Sequence, residues 1–475
     1  MTRARRALSV AVLLATLGGC GDDAARSTAS PRPQPVSAPH EPAEGPSPRA
    51  EADSPAQEGA QAATANATDG AGTGSAPAGA PPAADPSGAT GGSAAGGEPG
   101  SGTGELPGAC SRADRAPLEV MPERGAPGLA ADGAALVVAG YRHEGEREWV
   151  QVMCVEAGRA RSLAELPVDP PLTQSRHAAP AVLQDGGRAI VAYTDGRGRL
   201  LVASPGGAPT RVTELADIRL SPTLAKVTGG YAVTFTDSSG PTPRAILVRL
   251  GPDLARLSEH VLHGDYMGGT APFLVREPDG SARRVAFADP RRGLSSLLLA
   301  ALGPDGTPQG EPQTVSVVSQ LSDPARVVMV EARSAGRLHI AFTAIDGRGA
   351  TAVGHLYSDG PSNPRPLIAN RGYGILDLDG LGLPHGALFV VDSPLGDPDT
   401  SPRELVVRQV GAEGFGEPLS LRSPDGTARA GRLARLADGT VMVAYTGLSA
   451  LYVERLSCPE VPQADSVPGA PATPP

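Results

Sequence analysis

The sequence predicts an all-β fold, a single β-propeller of seven four-stranded blades, and three observations indicate it. An apolar run that ends in an aromatic residue and a polar turn recurs along residues 110–459. The aromatic residue returns about every 50 residues, a spacing typical of propeller blades. No stretch of this region shows a sustained helical period with capping residues at its ends. About 350 residues are also ample for one large core.

The clearest copy of the repeat spans residues 188–203 and is typical of a β-hairpin. Tyr193 closes an apolar run, and Asp195 with Gly196 supplies a turn before a second apolar run. β-Branched and aromatic residues suit a half-buried pleated surface, and Asp-Gly suits a tight turn. This unit is therefore predicted to contain strands over residues 180–184, 189–193, 200–204 and 210–215. The anchor residues of the seven units are Tyr141, Tyr193, Phe235, Phe287, Phe342, Val390 and Tyr445.

A proline opens five of the units, 13 to 18 residues before the anchor residue. Proline at the first position of a strand removes no ladder hydrogen bond. These prolines therefore indicate where each innermost strand begins. They are Pro127, Pro180, Pro222, Pro272 and Pro324.

The last unit supplies only three predicted strands, over residues 432–436, 440–446 and 450–456. Residues 116–121, just ahead of the first unit, are predicted to donate the missing fourth strand. Such a closure leaves no open sheet edge at the junction of the ring, which protects the domain from pairing with other chains.

Three cysteines lie in the folded region. Cys110 precedes the donated strand and Cys458 follows its pairing partner, so a disulfide between them is predicted to close the ring, adding about 3–5 kcal/mol. Cys154 and Cys458 each lie 13 residues after their anchor tyrosines. Cys110–Cys154 and Cys154–Cys458 therefore remain alternative pairings. One thiol is left over in every case, and its expected role is that of a small buried hydrophobic residue.

Residues 1–20 are predicted to be an export signal. Three arginines within the first six residues precede an apolar run over residues 7–17, which is short for a membrane anchor. The run ends in Leu-Gly-Gly-Cys at residues 17–20, which resembles the lipobox of bacterial lipoproteins. The resemblance implies that the Cys20 thiol carries lipid, whereas an ordinary secretory signal is the alternative. We therefore expect the protein in the bacterial cell envelope, anchored on the outer membrane or the periplasmic or surface side.

Residues 21–109 are predicted to be a disordered tether. About three-quarters of them are Ala, Gly, Pro, Ser or Thr, and large apolar residues are almost absent. Such a stretch buries too little surface to offset the entropy lost on ordering. The propeller is expected over residues 110–459, followed by a disordered tail over 460–475.

The composition excludes several functional classes. A net charge of −10 argues against a nucleic-acid partner, and with only 3% aromatic residues, including the single tryptophan Trp149, stacking platforms are scarce. No phosphate-binding loop, nucleophile elbow or histidine pair at metal-binding spacing is present, so neither cofactor nor metal is expected. Asp377 and Asp379 lack the run of oxygen ligands that calcium needs, and we expect them in solvated turns. The expected state is a monomer with an unknown protein or glycan partner.

The remaining polar residues are expected on one face of the propeller, in the loops before each inner strand and after each second strand. Arginines gathered there would bind a carboxylate or a similar anion, whereas an aspartate beside a turn can instead cap its own backbone. No catalytic residue is identified. The candidate ligand-binding residues are Arg176, Arg219, Tyr266, Arg371, Tyr373, Arg429, Asp195, Asp237 and Asp289.

The repeat phrase, a proline start and a glycine turn before Val-Ala-Tyr-Thr-Asp, resembles the sialidase-like or Asp-box class of bacterial propellers. The resemblance implies a propeller over the whole folded region. The Asp-box pattern Ser-x-Asp-x-Gly-x-x-Trp is absent, and no arginine triad with a Tyr/Glu nucleophile pair is found. We therefore expect a binding or scaffold module for anionic glycans, peptides or envelope proteins. The alternative is a degenerate sialidase-like enzyme that processes glycans.

Overall fold

A computed structural model describes the residue ranges 108–113, 116–122, 125–172, 178–214, 216–217, 219–262, 270–277, 280–290, 295–318, 321, 326–332, 337–345, 351–358, 364–368, 377–394, 402–412 and 414–460. The predicted signal and nearly all of the predicted tether and tail lie outside these ranges. Within them every regular element is a β-strand. In this part of the chain no helix has the length and apolarity to cross a bilayer.

The strands form seven antiparallel sheets around a central axis, and the predicted seven-bladed propeller is confirmed. Each of the first six blades is a meander of four strands consecutive in sequence. The first blade contains β3 (Gly128–Asp132), β4 (Ala135–Glu144), β5 (Arg147–Glu156) and β6 (Arg159–Val168). The second contains β7 (Ala181–Asp185), β8 (Arg188–Thr194), β9 (Leu200–Ala203) and β10 (Thr210–Thr213). The third contains β11 (Thr223–Val227), β12 (Gly230–Asp237), β13 (Arg244–Leu250) and β14 (Arg256–Val261).

The next three blades repeat the arrangement. The fourth contains β15 (Thr270–Arg276), β16 (Ala282–Pro290), β17 (Ser295–Leu302) and β18 (Pro308–Val318). The fifth contains β19 (Val327–Glu331), β20 (Leu338–Ile345), β21 (Thr351–Tyr357) and β22 (Arg365–Ile368). The sixth contains β23 (Asp377–Leu383), β24 (Gly386–Pro394), β25 (Arg403–Val410) and β26 (Leu419–Leu421).

The seventh blade combines the two ends of the folded region, as predicted. It contains β27 (Arg429–Arg435), β28 (Val441–Thr446) and β29 (Ala450–Ser457), and β2 (Leu118–Pro122) pairs with β29. A short strand not expected from the sequence, β1 (Ser111–Arg112), pairs with the end of β29. The predicted Cys110–Cys458 disulfide is confirmed and joins residues 348 apart. Cys154 is fully buried and is not a free thiol, so the expected leftover thiol is not found.

Hydrophobic cores lie between adjacent blades rather than at the centre of the ring. One cluster joins the first and second blades and contains Tyr141 and Tyr193. A corresponding cluster joins the seventh and first blades and contains Leu451. All seven anchor residues are buried and lie on the second strands of their blades. The repeat therefore marks a packing position that all blades share. Each unit contributes one buried side chain at this position to a boundary between blades.

The first strand of each blade is innermost. Three of the predicted proline starts immediately precede β3, β7 and β11, whereas Pro272 lies inside β15, where the strand register shifts. Successive inner strands contact one another, and β27 contacts β3, so the ring is closed. A Cβ atom on Gly128 would lie 2.2 Å from the carbonyl oxygen of Pro180. Only glycine therefore allows β3 and β7 to approach so closely beside the axis.

Candidate functional site

The inner strands enclose a central channel with two cavities. A cavity of about 90 Å³ lies where the inner strands begin, and one of about 880 Å³ lies where each inner strand turns into the second strand. Leu129, Phe273 and Arg276 line both cavities, so the two form one path along the axis. The channel is therefore a concave surface that described residues from several blades build together, as ligand sites commonly are.

Four arginines line this channel, and three of them, from three blades, line the smaller cavity. Arg276 ends β15, Arg326 immediately precedes β19, and Arg432 lies within β27. We call them the channel arginines. Each lies in an inner strand or directly before one rather than in a turn, so turn capping does not account for it. The sequence analysis identified none of them as a candidate ligand-binding residue. An arginine within a predicted inner strand could have indicated one.

The channel arginines differ in their partners. Arg432 donates from Nη1 to Asp377 Oδ2 at 2.8 Å. Arg326 donates from Nη2 to the carbonyl oxygen of Arg219 at 2.6 Å and has no ion pair with a described residue. The Arg276 guanidinium makes neither a hydrogen bond nor an ion pair within the described part of the chain. Two of the three guanidinium groups therefore lack a carboxylate in contact.

Two carboxylates face the channel arginines from β23. Asp377 and Asp379 are two residues apart on one strand, so their side chains lie on the same face. Asp379 is buried and accepts a hydrogen bond from the backbone nitrogen of Leu433 at 2.8 Å. The expectation that this pair lies in solvated turns is therefore wrong. Both residues belong to an inner strand, and the adjacent β27 withdraws them from solvent.

Burial and charge act in opposite directions on these groups. Withdrawal from bulk water lowers the pKa of Arg276 and of Arg326, although Arg276 keeps accessible surface inside the channel. Burial also acts to lower the pKa of Arg432, but Asp377 and Asp379 outweigh it and raise that pKa. Burial raises the pKa of Asp379. Since guanidinium stays protonated at physiological pH, the five side chains carry one excess positive charge when both aspartates are ionised.

A second buried pair supports β27 from behind. Arg403 places Nη1 3.4 Å from Asp392 Oδ2, and the backbone nitrogen of Ala430 donates to the same oxygen at 3.2 Å. Burial raises the pKa of Asp392 to about 6. These contacts connect β24 and β25 to the strand that carries Arg432, and they fix its position beside the axis.

The candidate aspartates lie at the ends of second strands, away from the described lining of the two cavities. Asp195 accepts hydrogen bonds from the backbone nitrogens of Arg197 and Arg199, both at 3.0 Å, and pairs with the Arg199 side chain. Asp237 accepts from the backbone nitrogen of Ser239 at 2.9 Å and pairs with Arg244. These two carboxylates are engaged within their own turns.

Asp289 is the third candidate aspartate, and it lies on the second strand β16. Its side chain is buried, with 1% of the residue's surface exposed. It does not belong to the described lining of either cavity.

The candidate arginines described by the structure are exposed. Arg219 holds Asp217 through two contacts, Nε to Oδ1 at 3.0 Å and Nη2 to Oδ2 at 2.8 Å. Its guanidinium is therefore engaged beside the channel, and its carbonyl positions Arg326. Arg429 begins β27. The other candidate residues, Arg176, Tyr266, Arg371 and Tyr373, lie outside the described residues, as does Cys20.

The two cavities differ in chemistry. The larger one is lined by five carboxylates, Asp132, Asp185, Glu277, Glu331 and Asp438, whereas the smaller one combines the channel arginines with Asp377 and Asp379 and is suited to an anion. Unpaired guanidinium groups bind carboxylates, sulfates and phosphates strongly where water is restricted. The described lining contains neither tyrosine nor histidine. Within the described ranges, no three His, Cys, Asp or Glu side chains are placed to hold a metal ion.

Comparison with known proteins finds only distant structural similarity. No family model and no curated protein sequence matches the chain. An ulvan lyase, a polysaccharide lyase, is 12% identical with a TM-score of 0.49, over 71% of this chain and 94% of that one. The β-propeller domain of the Trilobed protease from Pyrococcus furiosus is 9% identical with a TM-score of 0.42, over 74% and 99%. An endo-arabinase from Bacteroides thetaiotaomicron is 12% identical with a TM-score of 0.33, over 60% and 95%. At these identities the likeness concerns the fold alone, and the seven sheets described above define the class as the β-propeller.

Proposed function

We propose that the protein is a binding module whose central channel takes an acidic glycan. The observation that carries the proposal is the pair of channel arginines, Arg276 and Arg326, whose guanidinium groups lack a contacting carboxylate among the described residues. Arg276 is exposed to the channel and Arg326 is half-buried, so both can contact a ligand, and an anion would supply the counter-charge that they lack.

The ligand class follows from the mixture of groups. Arg276 and Arg326 would receive a sugar carboxylate, and Asp379 would accept hydrogen bonds from neighbouring hydroxyl groups. A uronic acid carries both features on one ring. A binding module is favoured over an enzyme because the described channel lining holds neither tyrosine nor histidine beside the two carboxylates of β23.

The sequence adds a location to this proposal. The export segment and the Leu-Gly-Gly-Cys ending at Cys20 support a lipid-anchored protein of the bacterial cell envelope, with the propeller held away from the membrane by residues 21–109. Cys20→Ser should move the protein from the membrane fraction to the soluble fraction. Retention of the variant in membranes would contradict the lipid anchor.

The binding proposal is tested by calorimetry with trigalacturonic acid and its neutral counterpart galactotriose. The wild type should bind the acidic trisaccharide alone, and Arg276→Met combined with Arg326→Met should weaken binding at least tenfold, because each charge-assisted contact contributes about 1.5–3 kcal/mol. Arg211→Met is the matched control, since Arg211 pairs with Glu214 on the exposed β10 edge. Unchanged affinity in the double variant would contradict the proposal.

The same samples separate binding from turnover. Release of reducing sugar from trigalacturonic acid should stay at background for the wild type and the variants. Turnover that is lost in Asp379→Asn would overturn the binding-module interpretation in favour of the glycan-processing alternative.

A further inference from the structure

A buried histidine lies at the boundary between the fifth and sixth blades. His355 on β21 has no exposed surface. Its ring packs against Tyr357 at 4.8 Å and His339 at 5.6 Å within the fifth blade, as measured between ring centroids. Across the boundary it packs against Phe415 at 5.4 Å and Phe389 at 5.8 Å. The imidazole therefore fills a position that an aromatic hydrocarbon ring could fill equally well.

The polar atoms of this ring have no use in the fold. Neither Nδ1 nor Nε2 of His355 has a hydrogen-bond partner. A buried polar group without a partner costs free energy, so an apolar ring of similar shape should stabilise the protein. His355 is also remote from the channel lining and has no part in the proposed ligand contacts.

The described charges around the cluster are mainly cationic. Arg337 lies over the Tyr357 ring at 4.8 Å, and Arg365 and Arg408 lie over Phe415 at 4.7 and 4.9 Å. His339 is the other titratable group that faces the ring from within the blade. Glu417 acts on Arg408, and no carboxylate of the described residues is among the charges that act on His355. A proton on His355 would thus meet repulsion from neighbouring cations without a contacting carboxylate.

The same cluster holds the two blades together. Tyr357 of the fifth blade donates from its hydroxyl group to the carbonyl oxygen of Gly411 in the sixth blade at 2.7 Å. Arg408 of the sixth blade donates to the carbonyl oxygen of Leu367 in the fifth. The fifth blade also carries Arg326, and the adjacent sixth blade carries Asp377 and Asp379, so these groups lie on the two sides of the same boundary.

We propose that His355 is an acid-sensitive latch: neutral His355 keeps the fifth and sixth blades packed, and its protonation loosens their boundary. The acid sensitivity follows from the aromatic rings packed around His355 and does not depend on the proposed function. Its consequence for ligand release, through separation of Arg326 from the β23 aspartates, rests on the proposed function.

The direction of the pH dependence follows from burial. Burial lowers the pKa of His355 from 6.5 to about 3, with His339 and Arg365 acting in the same direction. The unfolded chain therefore binds a proton that the folded chain excludes across this interval. The stability contributed by neutral His355 is fully present above about pH 6.5 and is lost progressively as the pH falls toward 3. Each pH unit changes the unfolding equilibrium constant about tenfold.

The test compares full-length wild type with His355→Phe by denaturant unfolding at pH 6.5 and pH 4.5, without ligand. Carboxylates affect both proteins alike, so the ratio of their unfolding constants isolates His355. The wild-type constant divided by that of His355→Phe should rise about fiftyfold between the two pH values, because the unfolded histidine is already half protonated at pH 6.5. His143→Gln is the control, because His143 is exposed on β4, and its ratio to wild type should stay nearly constant. Hydrogen exchange should show the acid-induced opening at β21 and β24 first.

An unchanged ratio for His355→Phe would overturn the latch. If that variant fails to fold, the wild type still decides the question, since the NMR ring signals of His355 should show no titration down to pH 4.5. Titration near pH 6.5 in the folded protein would equally overturn the proposal. Trigalacturonic acid then tests the consequence: acid should weaken its binding less in His355→Phe than in wild type. Failure of this last arm alone would count against the proposed function and leave the latch intact.

Discussion

Asp195 and Arg276 both carry charge in the ring of blades, but the protein compensates only the first charge with contacts of its own. Asp195 is fully buried and receives two backbone hydrogen bonds and an arginine side chain from its own turn. Arg276 lies beside the axis, faces the channel and has no partner in contact among the described residues. The first charge is satisfied within five residues of sequence. The second is left available to whatever occupies the channel.

The contrast separates structural charge from functional charge. A carboxylate that caps its own turn stabilises a hairpin, and its removal should weaken the fold without touching a ligand. An arginine without a partner adds nothing to the hairpin, and its retention needs another reason. Arg432 and Asp377 form an intermediate case, because they are satisfied, but by each other and across two blades.

The largest effect on stability is expected at this intermediate pair. Asp377→Asn leaves the Arg432 side chain, which is only 12% exposed, without its counter-charge and should lower the free energy of unfolding by about 3 kcal/mol. Denaturant unfolding measures the loss. The matched control is the double variant Asp377→Asn with Arg432→Met, which should recover part of the loss, because the Arg432 charge is removed while Asp379 loses its attraction to Arg432. Equal losses in the single and double variants would show that the pair itself is not the source.

A smaller effect is expected at the turn. Asp195→Ala removes three hydrogen bonds to a fully buried carboxylate and should lower the free energy of unfolding by about 1–3 kcal/mol. Calorimetry with trigalacturonic acid should show unchanged affinity. Asp253→Ala, at an exposed turn with one backbone contact to Ala255, is the comparison and should cost less. Weakened ligand binding in Asp195→Ala would erase the distinction between the two regions.

The sequence predicted the parts of this molecule that repeat. Tyr193 and its equivalents mark a packing position that every blade needs, so their spacing reveals the blades. The missing strand of the last blade and the positions of Cys110 and Cys458 then predicted how the ring closes, and the structure confirms that closure. The short strand β1 was missed because two polar residues carry no alternation of apolar and polar positions.

The channel was harder to predict because it is built from residues far apart in sequence. Asp377 and Asp379 resemble a turn in isolation, since only β27 packed alongside shows that they are buried. Arg276 and Arg326 lie in different blades, and nothing in their neighbouring residues tells which side of a strand faces the axis. Asp195 and Asp237 became candidates because a turn can be recognised from a few neighbouring residues. The unpaired charges of Arg276 and Arg326 cannot be recognised in this way, since their surroundings form only when the ring of blades closes.

The smallest effect on stability is expected at Arg276. This variant tests whether an unpaired charge serves the fold or a ligand. Arg276→Met removes no contact with a described residue and relieves a charge withdrawn from bulk water, so the free energy of unfolding should stay within about 0.5 kcal/mol of the wild type or rise slightly. Affinity for trigalacturonic acid should fall in the same variant. Denaturant unfolding and calorimetry on one preparation measure both quantities. A marked loss of stability would mean that the attraction between Arg276 and Asp379 supports the ring. The role of Arg276 would then be structural, like that of Asp195, and not ligand binding.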